Sequence, residues 1–187
     1  DVKIILVVGN LSRRKGVDLL LNAWAKICND SKACLVLMGS SNSAGQQTDI
    51  SFKNDLEKKI RFINKNKLII RDFSKNIEQY YQVADVFVFL SRREGMPNAL
   101  LEAMSCGLPS LITPFEGLSI EFGKENMHYY LTDFSEKKIV MDLRKILDDE
   151  NAEQIGKNAR LLIKNELSIE RCAFNLVENI FSNGGYV

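Results

Sequence analysis

Short continuous runs of apolar residues alternate along this chain with stripes of apolar residues at helical spacing. The continuous runs predict buried strands at residues 4–8, 34–38, 68–70, 86–90 and 109–112, and a less clear one at 127–131. Between them, helical stripes are formed by residues 77–84 and by Val17, Leu20, Leu21, Trp24 and Cys28. Because parallel strands need crossover connections, this alternation predicts an α/β fold, a Rossmann-like, doubly wound parallel sheet with helices on both faces.

The pattern becomes wholly helical after the last strand. Segments 136–147, 152–164 and 169–181 predict three C-terminal helices, and we expect them to pack back on the sheet. A polar segment, 40–49, follows the second strand and predicts a mobile loop. With 187 residues and 45% hydrophobic content, residues 1–187 have the size and composition of a single domain with a substantial core.

Charge and cysteine content narrow the classes of function. The net charge is +1, from 25 basic and 24 acidic residues without long blocks of one sign, so the sequence gives no sign of a nucleic-acid surface. Cys28, Cys34, Cys106 and Cys172 lack C-x-x-C spacing, which predicts reduced packing cysteines in the cytoplasm and no metal site. The single histidine, His128, is interpreted as structural. No apolar run reaches the roughly 20 residues of a membrane span, and no signal peptide is evident.

The segment 91–109 carries the first candidate chemistry. It follows a predicted strand, and Pro97 is typical of the first position of a helix that Gly107 would end. Glu94 then lies in the loop before the helix, beside backbone N–H groups that no helical carbonyl satisfies, which is an anion-binding geometry next to a carboxylate. Glu102 interrupts an apolar helix, so it faces either solvent on a half-exposed helix or a cleft with a polar occupant.

The loop after the first strand, residues 9–18, carries the second candidate chemistry. Gly9 permits a ligand to approach the backbone closely, and Arg13, Arg14 and Lys15 crowd the start of the first helix. Cations beside free helix N–H groups favour a multiply charged anion such as a diphosphate. The segment is neither a Walker loop nor a G-x-G-x-x-G loop, and a solvated basic turn is the alternative interpretation.

Both loops follow strands of one parallel sheet, and the ligands of such sheets bind outside the carboxyl ends of the strands. One loop offers positive charge for phosphates, while the other offers carboxylates that accept hydrogen bonds from hydroxyl groups. A diphosphate flanked by two polyols would satisfy both loops. The sequence therefore indicates a nucleotide sugar as the ligand.

The segment from Glu94 to Glu102, with the A-M-S-C-G-L-P stretch that follows it, resembles the E-x7-E signature of retaining glycosyltransferases of the GT-B fold, especially family 4. Residues 9–17 resemble the same family's G-R-x-x-x-x-K-G segment, with Lys15 and Gly16 in place. The resemblance covers only the family's C-terminal, donor-binding half. It implies one half of a GT-B enzyme, and because the chain also lacks an initiating Met, we expect a fragment without its N-terminal acceptor domain.

The resemblance implies roles for the matching residues. Glu94 would hold hydroxyls of the transferred sugar, Lys15 would neutralise the leaving diphosphate, and these two are the candidate catalytic residues. Glu102 would hold the ribose hydroxyls. The remaining donor-binding candidates are Gly9, Asn10, Gly95, Met96 and Asn98, with Asp72 and Phe73 where the family contacts the base. The implied reaction needs no metal or other cofactor, uses a donor such as a UDP- or GDP-sugar, and lets the departing diphosphate help to take the acceptor's proton.

One position departs from the family pattern. Asn10 stands where the family has an arginine, so one of its two usual phosphate cations is missing. Either Arg13 or Arg14 replaces that cation, or the site binds its donor more weakly. Our hypothesis is compensation by Arg14, because it is adjacent to Lys15.

Three functions are compatible with these residues. The first is retaining transfer from a nucleotide sugar to a hydroxyl of a polysaccharide, lipid-linked glycan or similar glycoconjugate. It would take place in the cytoplasm or at the inner face of the membrane. Peripheral membrane association of the full-length protein is compatible with this function. The fragment alone is expected to bind donor and transfer little. The second is a degenerate half that serves as a non-catalytic binding or regulatory module, which Asn10 favours. The third is a sugar-nucleotide epimerase, which shares the GT-B fold.

Overall fold

A parallel sheet is the framework of this chain, which a computed structural model describes for residues 2–40, 50–116, 118 and 122–182. Within these residues the strands are β1 Lys3–Val8, β2 Ala33–Met38, β3 Leu68–Arg71, β4 Val86–Phe89, β5 Ser110–Ile112 and β6 Tyr130–Leu131. They pair in the order β3-β2-β1-β4-β5-β6, and every pair is parallel. This is the strand order of a Rossmann-type doubly wound sheet, so the predicted fold class is confirmed.

Helices cover both faces of the sheet. They are α1 Val17–Ile27, α2 Ile50–Phe62, α3 Ile77–Val83, α4 Asn98–Ser105, α5 Glu136–Asp148, α6 Ala152–Glu166 and α7 Ile169–Ser182, with a short 3-10 helix at Lys65–Lys67. The core of one face joins α1, α2 and α5 to the sheet, and the core of the other joins α3, α4 and α6.

The strand β1 shows why this sheet needs helices on both sides. Ile5 and Val7 point into the first core, whereas Leu6 and Val8 point into the second, because successive strand residues face opposite sides. All four side chains are buried. A continuous apolar run is therefore what a central parallel strand requires.

The strand bounds agree with the prediction to within one residue, except at the edge of the sheet. The run 127–131 was expected to be a strand, but β6 keeps only its last two residues, since 126–128 form a turn. Asn126 has a positive φ of 58°, and His128 Nδ1 accepts a hydrogen bond from the backbone N–H of Lys124 at 3.0 Å. His128 therefore makes a hydrogen bond within the protein, which agrees with a structural role, but it lies in this turn and not in the predicted strand. The polar segment 41–49 lies outside the described residues.

The last helix, α7, does not pack as expected. The prediction that all three C-terminal helices pack back on the sheet is wrong for α7, whose apolar residues Phe174, Val177 and Phe181 are all exposed. The same helix corrects the interpretation of the cysteines. Cys28 and Cys34 are buried packing residues, Cys106 is half-buried, and Cys172 on α7 is exposed.

Candidate functional site

Two loops adjoin each other where the strand order reverses. Strands β1 and β4 lie side by side, and because their connections lead to opposite halves of the sheet, a crevice opens beyond their carboxyl ends. The loop 9–16 follows β1 and the loop 90–97 follows β4. The backbone N–H of Arg92 donates to the backbone oxygen of Arg14 at 2.9 Å, which ties the two loops together.

Gly16 sets the approach of the first loop to the second. It has a left-handed backbone, with φ of 68°, and immediately precedes α1. A Cβ at this position would lie 2.3 Å from the backbone oxygen of Leu90 and 2.7 Å from its Cβ, so only glycine fits. The preceding residue, Lys15, is consequently held against the end of β4, where its Nζ lies 5.2 Å from the ring centroid of Phe89.

Glu94 is the centre of a charged cluster formed by both loops. Its Oε1 lies 2.7 Å from Lys15 Nζ and 3.3 Å from Arg14 Nη1, and it also accepts a hydrogen bond from the Ser91 hydroxyl. The side chain of Glu94 is only 6% exposed, whereas those of Lys15 and Arg14 are 17% and 48% exposed. All these donors reach Oε1, and Oε2 receives no hydrogen bond from the residues that the structure describes.

The environment keeps Glu94 ionised. Burial alone would raise the pKa of its carboxyl, but hydrogen bonds from Lys15 and Ser91, and the charges of Lys15 and Arg14, outweigh burial and lower the pKa below 4.5. A buried carboxylate, with one oxygen that receives no donor from the described residues, therefore lies beside two cations. This arrangement can accept a hydrogen bond from a neutral hydroxyl while the cations attract an anion.

The loops after β2 and β3 extend the same edge. A Cβ at Gly39 would lie 1.9 Å from the backbone oxygen of Gly9, so these two turns are in direct backbone contact. The N–H of Gly39 donates to the backbone oxygen of Arg71 at 2.8 Å, which brings in the loop that contains Asp72 and Phe73. Both of these residues are exposed, and Phe73 Cζ would lie 3.3 Å from a Cβ at Gly39. The predicted residues Gly9 and Phe73 thus belong to one continuous edge with Lys15.

The turn from Gly95 to Asn98 leads from Glu94 into α4. Gly95 and Met96 are exposed, and their N–H groups donate to no backbone oxygen of the described residues. The N–H of Asn98, in contrast, already donates to the backbone oxygen of Met96 at 3.0 Å. Pro97 was predicted as the first helical residue but precedes the first residue of α4 by one position. The amides of Gly95 and Met96 are therefore the ones left for a ligand.

Glu102 lies on α4 at a distance from the Glu94 cluster. It is four residues after the start of the helix, which places it about 6 Å along the helix axis. Its side chain is exposed, and its Oε2 accepts a hydrogen bond from the Tyr81 hydroxyl at 2.8 Å. Of the two expectations for Glu102, a solvent-facing and a cleft-facing position, the structure gives an exposed carboxylate that accepts a hydrogen bond from Tyr81.

The two arginines beside Lys15 point in different directions. Arg13 Nη2 lies 2.8 Å from Asp55 Oδ2 on α2, away from Glu94. Arg14 Nη1 donates to the backbone oxygen of Arg93 at 2.9 Å and lies within reach of Glu94. The cation that the loop brings to the Glu94 cluster in addition to Lys15 is therefore Arg14. Asn10 lies half-buried earlier in the loop.

Sequence comparison identifies the family. The profile of the family described as "Glycosyl transferases group 1" matches residues 1–162, which is most of the chain. The chain belongs to the glycosyl transferases group 1 family. It is 27% identical over 158 residues to the N-acetylgalactosamine-N,N'-diacetylbacillosaminyl-diphospho-undecaprenol 4-alpha-N-acetylgalactosaminyltransferase of Campylobacter jejuni, and the match covers 83% of this chain and 40% of that protein.

Solved structures show the same fold. HepE of Anabaena, crystallised with UDP and glucose, superposes with a TM-score of 0.83 at 19% sequence identity, over 97% of this chain and 48% of HepE. The C-terminal domain of the glycosyl transferase group 1 family protein LpcC from Francisella tularensis gives a TM-score of 0.77 at 22% identity, over 89% of this chain and 87% of that domain. The group 1 chain therefore has the Rossmann-like fold of a GT-B half, as predicted.

The extent of these matches defines what the group 1 chain represents. It spans less than half the length of the Campylobacter jejuni relative and of HepE. It nevertheless spans most of the isolated LpcC C-terminal domain, which agrees with the resemblance to the C-terminal half.

Two negative observations concern the described part of this group 1 chain. No helix there is long and apolar enough to span a membrane. No group of three or more metal-ligating His, Cys, Asp or Glu side chains occurs among the same residues.

Sequence reasoning missed several residues that shape this candidate site. Ser91, Gly39, Phe89 and Tyr81 hold or border the predicted residues, but none was assigned a role. A signal existed for two of them, because Ser91 and Gly39 directly follow the apolar runs of β4 and β2, at the carboxyl edge where ligands of parallel sheets bind. Tyr81 carried no such signal, since a tyrosine in a helical stripe is an ordinary core residue.

Proposed function

We propose that this domain binds a nucleotide-diphosphate sugar at the carboxyl edge of its sheet, as the donor half of a retaining glycosyltransferase. The observation that carries the proposal is the Glu94 carboxylate, buried and ionised, with Lys15 and Arg14 on one oxygen and no donor from the described residues on the other. Family membership supports sugar transfer, and the UDP and glucose bound by HepE support the ligand class.

Lys15 has two partners in this mechanism. Its ammonium neutralises Glu94 at 2.7 Å, and it is the less exposed of the two cations. A bound diphosphate would offer Lys15 a second anion, and the negative charge on that group grows as the glycosidic bond breaks. Lys15 then stabilises the transition state more than the ground state, which is the condition for catalysis.

Glu94 would hold the sugar. Its Oε2, which has no donor among the described residues, would accept a hydrogen bond from a hydroxyl of the transferred sugar, while the donors on Oε1 fix the orientation of the carboxylate. The departing diphosphate accepts the proton of the acceptor hydroxyl, so we propose a reaction without a metal ion. Persistence of activity of the longer protein in excess EDTA is the measurement that checks this part.

Arg14 is proposed as the substitute for the family arginine absent at Asn10. Arg13 is held by Asp55 at 2.8 Å, whereas Arg14 shares Glu94 with Lys15 and has a side chain 48% exposed, which leaves it accessible to a phosphate. A guanidinium that already reaches the cluster can bind a phosphate with two parallel hydrogen bonds.

The other predicted residues would bind the remaining parts of the donor. The amides of Gly95 and Met96 would donate to the sugar or the diphosphate, and Gly9 would let the diphosphate approach the backbone. Glu102 would accept from the ribose hydroxyls. The exposed residues Asp72 and Phe73 would lie beside the base.

The acceptor would be bound outside the residues described above. We propose that the acceptor of the longer protein is a glycan or lipid-linked glycan bound by an N-terminal domain, in the cytoplasm or at the inner face of the membrane. The diphospho-undecaprenol in the name of the Campylobacter jejuni relative supports a lipid-linked acceptor. The present chain alone would bind donor with negligible turnover.

Thermal unfolding and calorimetry with UDP-, GDP- and ADP-glucose test the proposal. A ligand that binds only the folded chain raises the unfolding temperature, and we expect one nucleotide series to do so. Lys15→Ala should weaken that ligand at least about tenfold and Arg14→Ala by a smaller factor, because each removes a charge-assisted hydrogen bond.

Lys26→Ala is the matched control, since Lys26 lies at the far end of α1 and pairs with Glu136 at 2.5 Å. The affinity of the Lys26→Ala variant for the nucleotide sugar should equal that of the unmodified chain. Absence of binding to any nucleotide or nucleotide sugar would refute the proposal. If Arg14→Ala left the affinity unchanged while Lys15→Ala lowered it, only the proposed role of Arg14 would be refuted.

A further inference from the structure

The two glutamates of the E-x7-E segment are held by the protein in the same way. Glu94 has one carboxylate oxygen occupied by Ser91, Lys15 and Arg14, and the other without a donor from the described residues. Glu102 likewise has Oε2 occupied, by the Tyr81 hydroxyl at 2.8 Å, and no other described side chain donates to its carboxylate. In each case one oxygen is fixed by the protein and one remains available.

Tyr81 is fixed by the core rather than by its hydroxyl. It is 2% exposed and belongs to the core that also contains Leu100 and Ala103 of α4. Its ring packs edge-on against Phe87 of β4, with the centroids 5.9 Å apart and the planes at 62°. The ring therefore has little freedom, and the position of its hydroxyl is set by the packing of α3 against β4 and α4.

The side chain of Glu102, unlike that of Tyr81, is not fixed by packing in the core. It is exposed on α4, and a glutamate on a helix surface would otherwise sample several side-chain rotamers. A single hydrogen bond from a rigid, buried donor restricts that sampling to the rotamers that bring Oε2 to the tyrosine. The remaining oxygen, Oε1, is then presented in a restricted direction.

The protonation state of Tyr81 is compatible with this role over a wide range of pH. Burial raises the pKa of its hydroxyl, and the hydrogen bond to the Glu102 carboxylate raises it further. The tyrosine thus remains a donor wherever Glu102 is an acceptor.

We propose that Tyr81 is a positioning residue that orients Glu102 toward the ribose hydroxyls of the nucleotide. This inference rests on the proposed function, because it assumes a nucleotide at the site. It adds a residue outside both sequence motifs, on a helix that neither motif includes. Tyr81 itself contacts no ligand and acts only through Glu102.

The test compares a ribonucleotide with its analogue that lacks both ribose hydroxyls. Affinities of UDP, GDP and ADP are measured by calorimetry, together with those of 2′,3′-dideoxy-UDP, -GDP and -ADP, for the unmodified chain and for Tyr81→Phe. The phenylalanine variant keeps the ring and removes only the donor. We expect it to weaken the preferred ribonucleotide about three- to tenfold, the effect of one hydrogen bond, and to leave its dideoxy analogue unchanged.

Two further variants sharpen the comparison. Tyr80→Phe is the matched control, since Tyr80 is the neighbouring half-buried tyrosine of α3. This variant should bind the ribonucleotide and its dideoxy analogue with the same affinities as the unmodified chain. Glu102→Ala should lose the ribose preference, and the double variant Tyr81→Phe with Glu102→Ala should lose no more than Glu102→Ala alone.

The outcomes separate the two proposals. Equal weakening of the ribonucleotide and its dideoxy analogue by Tyr81→Phe would show a merely structural role and overturn the inference. Unchanged affinity for both, or additive losses in the double variant, would also overturn it while leaving donor binding intact. Absence of binding of any nucleotide to the unmodified chain would instead refute the proposed function, and this inference with it.

Discussion

Substitution of Gly16 tests how the Lys15–Glu94 pair is positioned. In Gly16→Ala, the new methyl group would lie 2.3 Å from the backbone oxygen of Leu90, on a residue whose φ is 68°. The left-handed backbone costs alanine roughly 1–2 kcal/mol, and relief of an overpacked contact costs roughly 1–3 kcal/mol. The smaller entropy of the unfolded alanine chain offsets roughly 0.4–1 kcal/mol of this. We therefore expect the free energy of unfolding to fall by about 3 kcal/mol.

Urea unfolding followed by circular dichroism measures this loss, and Gly95→Ala provides the matched control. Gly95 lies in the second loop, outside the left-handed region, and a Cβ there would meet nothing within 4 Å. Its substitution should change the free energy of unfolding by less than about 0.5 kcal/mol. A loss below about 1 kcal/mol in Gly16→Ala would refute the reasoning, since the left-handed backbone alone accounts for that much.

The same substitution has a consequence for the site. Any backbone shift that relieves the contact with Leu90 moves Lys15, the preceding residue, relative to Glu94. We expect Gly16→Ala to weaken nucleotide-sugar binding at temperatures where the variant is still folded. Unchanged affinity in the folded variant would show that the Lys15–Glu94 geometry does not depend on this contact.

Two further predictions concern titration and reactivity. Because the folded-state pKa of Glu94 lies below 4.5, its ionised form contributes stability above that pH, which is lost as the pH falls through the folded-state pKa. Glu94→Gln should therefore lose less unfolding free energy than the unmodified chain between pH 7 and 3 in urea titrations, and equal losses would contradict the assignment. Cys172 should react with a thiol reagent in the folded chain, whereas Cys34, which is buried and has a pKa raised by that burial, should react only after unfolding. Mass spectrometry of the labelled peptides distinguishes them, and early labelling of Cys34 would be the contrary result.

The strands were predictable because burial of a strand on both faces gives a sequence pattern that is easy to recognise. A central parallel strand such as β2 has no polar side, so its residues form an unbroken apolar run. The helix α1 was equally clear, since its apolar residues follow the helical period over three turns. The candidate loops then followed from the rule that ligands bind at the carboxyl edge.

The errors lie where local pattern does not decide the structure. The run 127–131 is apolar and aromatic enough for a strand, but Asn126 adopts a positive φ and begins a turn that leaves only two residues for β6. In α7 the apolar stripe predicts a buried face, yet periodicity does not identify what covers that face. The first error comes from the local backbone at Asn126, and the second comes from tertiary contacts that the period of the pattern does not reveal.

The side-chain contacts of the site depend on strand order, which periodicity does not determine. Lys15 and Glu94 meet because β1 and β4 are neighbours, and the same elements in another order would separate the two loops. The contact of Tyr81 with Glu102 depends further on α3 and α4 sharing one face of the sheet. The motif spacing indicated which residues are candidates for chemistry, whereas the topology decides which protein groups reach each carboxylate. We propose that this occupancy, with one oxygen held and the other without a donor from the described residues in both Glu94 and Glu102, makes the E-x7-E pair a directional acceptor for hydroxyl groups rather than two charges in a loop and on a helix.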